Sequence, residues 1–157
     1  MDQSIEADSG SAAAAQHKPI ARPNFALAIV AGMASAIVGA GLWAIVTVLT
    51  QSELGLMAIA VGFLVGYAIR FVAESEDKRL GYLGAVCALL GCVLGNYLSA
   101  VAFFAQARGL TLAQVLSVLD FDLSQRLMTA TFSAMDLLFY AIAIYEGFKF
   151  SVVRRPS

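Results

Sequence analysis

Histidine is almost missing from this chain. Its single copy, His17, lies in a polar stretch ahead of the first apolar run. A bis-histidine haem therefore cannot be held between helices, and a zinc site lacks its imidazole ligands. No Ser–His or Cys–His pair can form in the apolar part of the chain, which removes the usual activated nucleophiles. Cysteine is scarce as well, with Cys87 and Cys92 the only two. Five residues apart, they sit about 140° from each other around a helix and share no face. Without a CxxC there is no disulfide-exchange motif, so both read as small packing residues at helix contacts. The P-loop and dinucleotide-binding glycine signatures are absent. Charge is the third scarcity: 13% of residues are charged and 60% are hydrophobic, far from the balance of soluble domains. A formal net charge of −1 offers no attraction to nucleic acid. The expectation is a protein that is not an enzyme and holds no cofactor or metal.

What fills the 157 residues instead is apolar sequence. Four long runs cover roughly Phe25–Thr50, Leu54–Val72, Leu80–Phe104 and Met128–Phe150; the first and third carry no acid or base, and the second carries only Arg70, near its end. About 20 apolar residues cross a bilayer core at 1.5 Å rise per residue. The pattern predicts an all-α protein, a four-helix transmembrane bundle occupying residues 24–153. It leaves a flexible polar tail over 1–23, a basic end over 154–157, and no room for a separate soluble domain. The first run is too long, and too far behind a polar tail, for a cleaved signal peptide. Asn24, just after Pro23, reads as a helix N-cap.

Four spans place both termini on one side. That side then holds Lys18, Arg22, Arg70, Lys78, Arg79, Lys149, Arg154 and Arg155, against Arg108 and Arg126 on the other. Short loops rich in Lys and Arg stay cytoplasmic, so both termini and the 73–80 loop are expected inside. Glu53 is expected at the dipole-favoured start of the second helix. Glu74 and Lys78, four apart in the favourable order, extend that helix a turn into the cytoplasm. Arg70 and Glu146 lie at similar depth and suit an ion pair, and Trp43 suits an interfacial anchor in the outer half. The long third connection repeats Leu112, Val115, Leu116 and Leu119 at helical spacing. This predicts a short amphipathic helix in the outer interface, broken by the Asp120–Ser124 stretch; a re-entrant segment is the alternative.

Small-residue ladders are the densest signal. The first span has Ala28, Gly32, Ala36 and Ala40; the second Ala58, Gly62 and Gly66; the third Cys87, Gly91, Gly95 and Ser99. In lipid, helices join where small residues let backbones approach. The ladders imply tight packing within one chain, against a partner membrane protein or between copies. Asp136 is the one acid deep in a run, about 12 Å below the outer boundary if the last span opens at Met128. Thr129, Ser133, Asp136 and Tyr140 then form one polar stripe, facing Cys92, Asn96 and Ser99 of the third span near Thr47 of the first. An Asn96–Asp136 hydrogen bond or shared polar pocket is predicted. It reads as an ion, proton or solute site, or as an interhelical bond fixing register. In a third reading the last helix starts at Asp136, which becomes an interfacial N-terminal residue.

The segment Gly41-Leu-Trp43-Ala-Ile-Val-Thr47-Val-Leu-Thr50 leads through Glu53-Leu-Gly55 into a Gly-rich span, Ala58-Ile-Ala-Val-Gly62-Phe-Leu-Val-Gly66-Tyr-Ala-Ile-Arg70. Leu90-Gly-Cys-Val-Leu-Gly95-Asn-Tyr97 continues the pattern. Over residues 39–97 the chain resembles a family of small, uncharacterised bacterial inner-membrane proteins with four helices. The resemblance implies a bacterial cytoplasmic-membrane setting and carries over no catalytic residue. The leading expectation is a structural or accessory subunit; the alternative is a small transporter or channel built on Asn96, Ser133, Asp136 and Tyr140.

Overall fold

The computed structural model describes residues 24–52 and 55–152. The expectations for Glu53, for the 1–23 tail and for the basic C-terminal end lie outside those residues. The described chain is helical: α1 (Phe25–Thr50), α2 (Leu56–Ala73), α3 (Lys78–Arg108), α4 (Leu112–Val118), α5 (Phe121–Thr131) and α6 (Ala134–Ser151). Three of these, α1, α2 and α3, are long and apolar enough to cross a membrane. The number becomes four if α5 and α6, bent by 93° at their junction, count as one broken span.

Local chemistry explains most boundaries. The Asn24 side chain accepts the Leu27 N–H at 3.2 Å, as an N-cap should. Helix α2 does not run on into the loop as the Glu74–Lys78 spacing suggests. Glu74 turns left-handed at φ 40° and donates its N–H back to the Arg70 carbonyl. Asp77 then opens α3 by accepting the Arg79 N–H at 2.9 Å. With Gly109 at φ +64° closing its far end, α3 has 31 residues. At about 46 Å it outreaches a hydrocarbon core of about 30 Å.

Helix α3 packs on α1, α2 and α6, and α2 packs on α1 and α6; among the described residues α1 and α6 do not meet. The ladders lie in these seams. Ala28, Gly32, Ala36 and Ala40 are buried, as are Ala58, Gly62, Gly66, Cys87, Gly91, Gly95 and Ser99. A Cβ on Gly62 would lie 2.7 Å from the Ala143 carbonyl, and one on Gly91 would lie 2.7 Å from Val61. The tightest crossing joins Gly84 to Gly147 and Ser151, where an added Cβ would meet backbone or hydroxyl oxygen. Trp43 corrects an expectation. It is 4% exposed, and its ring fills the notch at Gly95, where a Cβ would come within 2.8 Å of it. A glycine opposite an indole turns a would-be surface anchor into a core knob.

Helix α4 forms where the apolar repeat predicts it, with Thr111 capping its start. Val115 is buried against Val101 and Ala105 of α3; the Leu116 side chain is outside the described set. The Asp120–Ser124 stretch does not remain a break. Asp120 accepts the Leu123 N–H at 2.7 Å and starts α5, which rests on α3 through a Tyr97–Ser124 hydroxyl contact of 3.0 Å.

Candidate functional site

The last helix begins at Ala134, six residues after the expected Met128. Phe132 and Ser133 are extended at φ −75°, ψ 122° and φ −114°, ψ 161°, so α5 and α6 meet at a corner. The cause is local. Ser133 and Asp136 form a capping box, in which the Ser133 N–H donates to Asp136 Oδ2 at 2.7 Å. An acid three residues into a helix also suits the helix dipole. Of the three readings of Asp136, the geometry matches an N-terminal residue of a shorter helix.

The predicted stripe is consequently divided. Ser133 is exposed and Asp136 half-buried, whereas Tyr140 and Asn96 are buried at 6% and 5% exposure. Thr129 belongs to α5 and bonds back to the Gln125 carbonyl at 2.9 Å. The expected Asn96–Asp136 hydrogen bond is not formed. Asn96 Nδ2, the only donor on that side chain, has no partner among the described residues. The third span's half of the site does come together with Tyr140. The Tyr140 hydroxyl donates to the Cys92 carbonyl at 3.3 Å and lies close enough to Asn96 for their side chains to interact. Cys92 itself points its thiol toward the Ala58 carbonyl at 3.9 Å. Ser99 satisfies its hydroxyl on the Gly95 carbonyl at 2.8 Å.

Two other polar groups bear on the site. Thr47, fully buried on α1, leaves Oγ1 without a partner among the described residues. Glu146, half-buried on α6, leaves Oε2 likewise. The Arg70–Glu146 pair is not made. Arg70 lines a surface cleft with Tyr67, Phe71 and Glu74, and Lys149 lies over the Tyr145 and Phe150 rings at 5.4 and 5.8 Å. Sequence reasoning passed over Gly84, Gly147 and Ser151, although Ala143, Gly147 and Ser151 form a four-residue ladder like those it did use. Among the described residues no three His, Cys, Asp or Glu side chains gather as metal ligands would. Set against protein-family models, curated proteins and solved structures, the chain finds no match in any of the three.

Proposed function

We propose that this chain is a non-catalytic four-span protein of a bacterial inner membrane, a structural or accessory subunit that packs against a partner membrane protein or its own copies. In this reading α1, α2, α3 and α6 are the spans of one bundle, both termini are cytoplasmic, and α4 and α5 rest at the outer interface. One observation carries it: the seams between helices are closed by glycine against neighbouring backbone, as at Gly62 on Ala143 and Gly84 on Gly147. Helices brought this close by small residues are suited to packing, which is what a structural or accessory subunit needs in lipid. What the chain offers outwardly is apolar surface, such as Leu49, Phe71 and Phe121 at 77–84% exposure.

Purification in a mild detergent, with native mass and mass spectrometry of whatever co-elutes, tests the reading. A stoichiometric second membrane protein or a defined homo-oligomer supports it, and a bare monomer sinks it. The alternative, a small ion, proton or solute transporter, draws support from the unpartnered Asn96 amide and Thr47 hydroxyl. It predicts flux in liposomes that Asp136→Asn abolishes without loss of expression.

A further inference from the structure

The α5–α6 corner lacks what usually makes a corner in a helix. Phe132 and Ser133 are neither proline nor glycine, and no glycine or proline lies between Phe121 and Glu146. The two helices nonetheless meet at 93°. Both extended residues accept helical φ/ψ without strain. What holds the corner is the Asp136 carboxylate on the Ser133 N–H, edge-on packing of Phe132 against Tyr140, with ring centroids 6.0 Å apart, and the Tyr97–Ser124 contact that lays α5 on α3.

A continuous helix over 121–151 would have 31 residues, the same number as α3 beside it. It would restore Thr129, Ser133, Asp136 and Tyr140 to one stripe, at spacings of four, three and four. The hydrogen-bond accounting points the same way. In the bent form Asn96 Nδ2 is a buried donor with no hydrogen-bond partner among the described residues, which native structures rarely leave. In a straight helix the Ser133 N–H would turn to the Thr129 carbonyl. That frees the Asp136 carboxylate one turn above Tyr140, on the side where Tyr140 already meets Asn96 and the Cys92 carbonyl.

We propose that α5 and α6 interconvert between this bent pair and a continuous helix over residues 121–151. The Ser133–Asp136 capping box latches the bent state, and the Asn96 amide receives the freed Asp136 carboxylate in the straight one. The device goes beyond the accessory reading and does not depend on it. It presents two different outer surfaces, one with α5 folded down on Tyr97 and one with α5 standing beside the end of α3.

Spin labels at Phe121→Cys and Tyr145→Cys, in full-length protein with Cys87→Ala and Cys92→Ala, report the angle in phospholipid nanodiscs. Both positions are well exposed, at 84% and 61%. The bent form places the label backbones about 24 Å apart and the straight form about 36 Å. The expected distribution has both components. Ser133→Ala, which weakens the capping box and leaves the Asp136 carboxylate for Asn96, raises the long-to-short ratio about fivefold, the weight of one helix cap, and Asn96→Leu lowers it. Ala134→Pro gives only the short component, because proline suits the first position of α6 but breaks a continuous helix there. In place of Ser133, alanine also favours the continuous helix more than serine does; Asp136→Ala removes the latch and the Asn96 partner together, so in that background Asn96→Leu is expected to leave the ratio unchanged. A short distance alone, identical in wild type, Ala134→Pro and the cap variant, would overturn the proposal.

Discussion

Gly84 and Gly41 are both glycines within long helices, yet opposite consequences attach to them. A Cβ on Gly84 meets the Gly147 carbonyl and the Ser151 side chain, whereas one on Gly41 meets nothing within 4 Å. Backbone cannot step aside as a side chain can, so Gly84→Ala is expected to cost about 1–3 kcal/mol through overpacking. Gly41→Ala relieves glycine's helix penalty and is expected to stabilise by up to about 1 kcal/mol. Thermal loss of the monodisperse peak in detergent, followed for the two variants side by side, reads the contrast. Equal midpoints would mean that α3 and α6 do not cross at Gly84. The single tryptophan provides a second residue-scale test. Trp43 is enclosed by Gly95 and its neighbours, so its emission is expected to be blue-shifted and only weakly quenched by brominated lipid. Strong quenching would return it to the lipid surface. Gly62 meets the Ala143 backbone as Gly84 meets that of Gly147, and Gly91 meets the Val61 side chain, so enlarging either attacks the fold before any partner.

Elements that were legible in the sequence are those with a periodic or compositional signature. The apolar runs gave α1, α2 and α3 nearly to their ends, Asn24 was read as a cap, and the repeat at Leu112, Val115 and Leu119 located α4. The α5–α6 corner was not legible, because a break without proline or glycine leaves an unbroken apolar run. Its only written trace is Ser133 followed three residues later by Asp136, a capping signature that the run of hydrophobics around it masks. The candidate site failed at the same point: its stripe assumed one helix through Met128, and Asn96 and Tyr140 came together without Asp136. Trp43 was misread because burial depends on the partner helix offering a glycine, which no single-helix pattern reveals. Energetics separates the elements too. Among the described residues α4 and α5 pack on α3 alone, through Val115 and the Tyr97–Ser124 contact. Few buried contacts mean low local stability. Tyr97→Phe removes a hydrogen bond worth about 1 kcal/mol and is expected to speed amide exchange over 121–131 about fivefold. Exchange in α1 should not change, and an equal rise there would show that α5 is an integral part of the core.

At the scale of the whole molecule, charge placement and helix length make one joint prediction. Eight of the ten Lys and Arg side chains fall on the side of the termini when four spans are drawn, and short basic loops resist translocation. The connection after α1 instead opens on neutral Thr50 and Gln51, where Gln51 bonds to Gln106 at 3.0 Å across to α3. That contact joins the ends of α1 and α3, which therefore lie at one end of the bundle. Parallel α1 and α3 require α2 to return between them, which its short links to both enforce. A fluorescent-protein reporter inserted after Glu76 is therefore expected to be fluorescent, and an alkaline-phosphatase reporter after Gln51 to be active. Exchanging the two reporters should silence both. The proposed fourth crossing is the sensitive part, because α6, no longer than α2, carries Asp136, Glu146 and Lys149. A reporter fused after Ser157 decides it. Fluorescence there means α6 crosses and brings its basic end inside with Arg70, Lys78 and Arg79. Phosphatase activity there would leave three spans and put the C-terminal bases outside, against the charge rule that fixed the other three. Since α6 is wedged between α2 and α3 through Gly62, Gly84 and Gly147, an arrangement with α6 outside the membrane would have to open both seams. Packing and charge thus favour the same outcome for independent reasons.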